Sequence, residues 1–154
     1  MPIAASDLPS PQAPCQCQTR AHQTAQAVEF ASDPPPDLTG RLAYGYTISL
    51  PIAMKVIHSM VGEKKLHDFQ IFALFELAFQ KAVIAPVPRD RRGSRIPTFE
   101  VLRNIPSSGG EDYALEGFVI TVATGESKAL PPKEVLDRLK AFLETDAGPR
   151  WYEI

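Results

Sequence analysis

Residues 66–84 read LHDFQIFALFELAFQKAVI and hold four of the chain's eight phenylalanines. No other stretch restricts the fold as strongly. Ile71, Phe72, Phe75, Ala78, Phe79, Ala82 and Val83 recur at helical spacing and share one broad face. Gln70, Glu76, Gln80 and Lys81 lie opposite, with Leu74 and Leu77 intruding among them. Together with Asp68, these polar residues argue against a membrane span. The spacing therefore predicts one central apolar helix. Its aromatic stripe, Phe72, Phe75 and Phe79, has two readings: core filling, the commoner use of such a stripe, or an interface for a protein partner or a second copy.

The segments around this helix alternate in period. In LAYGYTISL (residues 42–50), Tyr46, Ile48 and Leu50 fall on one face and Thr47 and Ser49 on the other, which predicts a strand. Pro51 suits the first turn of a following helix over residues 52–61, and Gly62 suits its end. After residue 84 the period falls to two. The runs AVIAPV (82–87) and RIPTFEVLR (95–103) read as strands flanking a hairpin tip, PRDRRGS. The β-favouring run of residues 118–122 reads as a central strand. PPKEVLDRLKAFLE (131–144) places Val135, Leu136, Leu139, Phe142 and Leu143 on one helical face. WYEI at 151–154 is expected to dock on the domain. The sum is an α+β class: a small antiparallel sheet of three to four strands packed against two or three helices.

A length of 154 residues suits a single domain with a tail. Residues 1–40 are rich in Pro, Ala, Gln and Ser and poor in bulky apolar side chains. They are expected to be a disordered tail and linker, leaving residues 41–154 as one α+β domain. The only cysteines, Cys15 and Cys17, are too close in sequence to staple distant elements. A reducing cytoplasm is the expected location, and no basic start leads into an apolar run. Net charge is −2, yet residues 41–105 carry +5 between acidic flanks, so the middle of the chain is a candidate basic surface.

Chemistry-bearing motifs are sparse. Phosphate-loop, H-E-x-x-H and G-x-S-x-G patterns are absent. Cys15, Cys17 and His22 offer three metal ligands where structural zinc wants four, so no metal and no cofactor are expected. His58 and His67 are expected at a surface or a helix cap. Glu111, Asp112 and Glu116 read as a solvated acidic loop. No constellation has enough members for an enzyme, and no small-molecule substrate is indicated. Arg89, Arg91, Arg92 and Arg95 crowd into seven residues. They read first as a hairpin tip and second as a phosphate contact shared with Lys64 and Lys65.

The span TISLPIAMKVIHSMVGEKKLHDFQIFALFELAF resembles a ribbon-helix-helix DNA-binding module, with a strand ending at Leu-Pro, a helix, a glycine turn and a second apolar helix. The resemblance implies an intertwined dimer over residues 46–83, with Thr47 and Ser49 facing bases and Lys64 and Lys65 near phosphate. The expected function is a non-catalytic protein–protein interaction or assembly subunit of a larger complex. A dimeric DNA-binding regulator is the alternative.

Overall fold

The computed structural model describes residues 27–92, 95–103, 115 and 117–154. Cys15, Cys17, His22, Glu111, Asp112 and Glu116 lie outside the described residues. The elements in chain order are β1 (Leu42–Thr47), α1 (Leu50–Val61), α2 (Asp68–Phe79), a π-helical turn (Gln80–Ile84), a 3-10 turn (Arg89–Arg91), β2 (Thr98–Val101), β3 (Phe118–Thr124), α3 (Lys133–Phe142) and β4 (Arg150–Glu153).

The strands form one four-stranded antiparallel sheet in the order β2-β3-β1-β4. Since β1 and β2 both run against β3, they are parallel to each other with β3 between them. By the same logic β3 and β4 are parallel with β1 between them. Each parallel pair is joined by a helical crossover: α1 and α2 for the first, α3 for the second. This is the split β-α-β connectivity of ferredoxin-like domains, here with a helix pair in the first crossover.

All three described helices cover one face of the sheet. Ala53 and Ile57 of α1, Phe75 and Phe79 of α2, and Val135 and Leu139 of α3 are buried with Tyr46, Ile120 and Val122 from the strands. Pro51 lies in the first turn of α1, and Gly62 ends that helix at φ 76°, a region that favours glycine. The start of α2 is closed by the His67 N–H, which donates to Gln70 Oε1 at 3.0 Å. His67 is thus the residue at the N-terminal cap position of α2, bonded through its backbone.

The expected strand at residues 82–87 is not formed. The chain stays helical to Ile84, widening into a π turn in which Ala85 N–H donates to Gln80 O at 2.8 Å. In an unbroken α-helix Ile84 would sit about 140° round from Phe79. Closing the chain from i to i+5 stacks the two on one face, and Val83, Ile84 and Val87 all enter the core. Packing thus overrides the strand preference of the β-branched pair. With this strand gone there is no hairpin, and the arginine run joins a helix to a strand.

The face that carries no described helix is closed by the chain itself. Arg103 N–H, just past β2, donates to Glu153 O of β4 at 2.9 Å, so the two outer strands meet at one end. Ala43, Leu102 and Val119 are buried in the resulting curl beside Tyr152 and Ile154. A bulge between Tyr44 and Gly45 sharpens the curvature. The sequence segment expected as a linker takes part as well. Phe30 bridges Ala129, and Ala31 N–H donates to Lys128 O at 2.8 Å.

Candidate interaction surface

The phenylalanines expected at an interface are core. Phe75 and Phe79 are fully buried and Phe72 is half-buried. Phe72 meets Phe118 at 4.6 Å between ring centroids and Phe99 at 5.6 Å; Phe79 meets Phe99 at 5.2 Å; Phe75 meets Phe142 at 5.3 Å. They are unavailable to a partner because β2, β3 and α3 already fill their surroundings.

What α2 presents outward is a different stripe. Phe69, Ala73 and Leu77 follow one another at i, i+4 and i+8, opposite the buried side, and all three are exposed. Phe69 is 81% accessible and Leu77 45%. Of this stripe, only the intrusion of Leu77 on the polar face is visible in the sequence. Leu74, the other intruder, packs against the core.

Below α2 lies β2, the outermost strand on that side, carrying Val101 at 55% exposure and Ile96 just ahead of it at 46%. Val101 is the cross-strand neighbour of Phe118, which stacks on Phe72, one helical turn from Phe69. The start of α2 therefore lies over the Val101 end of β2. Leu102 N–H donates to Gly117 O. Antiparallel alternation then turns Thr98 and Glu100 toward β3 and leaves the backbone N–H and C=O of Phe99 and Val101 facing outward.

The candidate phosphate residues do not gather into one patch. Arg92 caps the π turn: its Nε donates to Val87 O at 2.5 Å and a terminal nitrogen to Ala85 O at 3.2 Å. Arg95 reaches across to the carbonyls of Ser127 and Ala129. Arg89 and Arg91 are exposed on the 3-10 turn. Lys64 and Lys65 are exposed at the opposite end of α2 and its π turn, about 25 Å along the helix axis. Thr47 and Ser49 are exposed before α1, about 18 Å from its far end and the lysines beyond it.

The paired-ribbon arrangement is also closed off. It needs a free strand for the second chain, whereas β1 bonds to β3 over Ala43–Thr47 and to β4 over Leu42–Gly45. Tyr46 and Ile48 of that segment are buried in their own chain's core.

Along α3 an open depression is bordered by Lys133, Glu134, Asp137, Arg138 and Ala141. Its charges are paired with one another, Lys133 with Asp137 at 2.5 Å and Arg138 with Glu134 at 3.9 Å. The bond to Asp137 raises the Lys133 pKa, and the bond to Lys128 lowers that of Asp33. Burial, with a smaller contribution from Tyr44, pushes the Tyr46 hydroxyl up to about 12. Among the described residues no three His, Cys, Asp or Glu side chains gather as metal ligands. No described helix is long and apolar enough to cross a membrane. No family model, no curated protein and no solved structure matches this chain.

Proposed function

We propose that the chain is a non-catalytic assembly subunit that holds a protein partner against the side built by α2 and β2. The carrying observation is Phe69, an aromatic left 81% accessible on α2, with Leu77 exposed on the same helix, Val101 on β2 and Ile96 just ahead of β2. Exposed apolar side chains gathered this way mark interaction surfaces more than solvated ones. The low cysteine content fits a reducing cytoplasm.

The test is purification of the tagged full chain from its native cells, beside a Phe69→Asp/Leu77→Asp variant. Both positions are exposed, so the variant is expected to melt with the wild type. A stoichiometric partner held by the wild type and lost by the variant supports the reading. A monodisperse wild-type monomer with no stoichiometric partner refutes it.

A further inference from the structure

We propose that β2 is a docking edge, to which an extended segment of another protein adds as a fifth strand carrying a lysine or arginine opposite Glu100. The inference rests on the assembly reading and specifies the chemistry of the partner segment.

Edge strands of monomeric proteins are normally blunted by shortness, lysine, proline, bulges or cover, and β2 is short, with Pro97 directly before it. Within Thr98–Val101 there is no basic residue, no proline and no break in register. The outward N–H and C=O groups of Phe99 and Val101 form a short template for main-chain bonding. Val101 on this edge is half exposed, and Phe69 is nearly bare at the start of the helix that packs over it. The opposite edge, β4, carries Arg150 and Glu153, and the bond from Arg103 to Glu153 O closes β2 only beyond Val101.

A second copy of this chain is the obvious occupant, and the local chemistry argues against it. A two-fold register centred on Glu100 sets that carboxylate against itself, which destabilises a strand pair. Centring on Phe99 opposes Val101 to Pro97, which has no N–H to give. Centring on Val101 opposes Phe99 to Arg103, whose N–H is engaged by Glu153 O. Every symmetric choice loses bonds or gains repulsion. Among the described residues Glu100 also has no ion-pair partner. A foreign strand with a cation at that position gains both the main-chain bonds and the charge pair.

Two blocked peptides test this: Val-Lys-Val-Lys-Val-Lys and its counterpart with glutamate for lysine. Amide hydrogen exchange is read at Phe99 and Val101 in the full chain, in the wild type and in Glu100→Lys. Excess lysine peptide is expected to slow exchange at both amides about tenfold, with little effect from the glutamate peptide. In Glu100→Lys the preference is expected to reverse, which excludes general attraction of a basic peptide to an acidic protein. Three results overturn the proposal: no protection by either peptide, equal protection by both, or a peptide-free dimer with these amides already protected. If the native partner is lost in the Phe69→Asp/Leu77→Asp variant but neither peptide protects β2, the assembly reading stands and the added strand does not.

Discussion

A methyl group at Gly45 would stand 2.1 Å from the carbonyl oxygen of Ile120, a backbone atom that cannot swing aside. The bulge next to it brings β1 and β3 this close. Gly45→Ala is expected to cost about 3 kcal/mol, as overpacking of a rigid site does. Gly125→Ala meets only Leu42 Cβ at 3.6 Å and is expected to stay within about 0.5 kcal/mol. Urea unfolding of the two variants makes the comparison. One strand position further, Tyr46 has a hydroxyl pKa of about 12 in the folded state against 10.0 for an unperturbed tyrosine. The folded chain holds that proton where the unfolded chain releases it. The stability so contributed is complete below pH 10 and is lost as pH rises through 12. Tyr46→Phe is expected to flatten this part of the alkaline loss, read by comparing urea midpoints at pH 9 and pH 11.

The arginine run separates into two pairs at the level of elements. Arg92 satisfies carbonyls at the end of the π turn, and Arg95 ties the segment before β2 to the one after β3. Replacing either with methionine keeps the aliphatic stem and is expected to cost about 1.5 kcal/mol. Replacing the exposed Arg89 or Arg91 with alanine is expected to change stability by less than about 0.5 kcal/mol. Chemical denaturation of the four single variants checks the split. In sequence these arginines are equivalent, because their distinction lies in which carbonyls come within reach. The same limit applies to α2. The spacing marks the face that carries Phe72, Phe75 and Phe79, but not whether the chain's own strands or a partner cover it. Phe72 is half-buried because Phe99 of β2 and Phe118 of β3 pack against it, whereas among the described residues no such neighbour covers Phe69.

Across the whole molecule, the chain's single tryptophan joins two distant parts. Trp151 of β4 stacks on Tyr44 at 5.0 Å, and its indole N–H donates to Ser32 O at 3.1 Å. Removing residues 1–34 is expected to shift tryptophan emission to the red while far-UV circular dichroism is retained, because the partner carbonyl leaves and the sheet does not. Unchanged emission would show that the indole is indifferent to this segment. Three helices and the strands β1, β2 and β3 were legible in local pattern, since amphipathic spacing, a proline in a first turn and a β-branched run act over a few neighbours. β4 was not: four residues with a charge at each end carry no period, and pairing with Leu42–Gly45 makes them a strand. The π turn and the curl joining Arg103 to Glu153 escaped for the same reason, because both arise from the volume left between elements far apart in the chain. Short-range chemistry was sufficient for the α+β class. Which apolar side chains face water, and so where a partner could dock, depended on long-range packing, because burial belongs to a residue's surroundings and not to the residue.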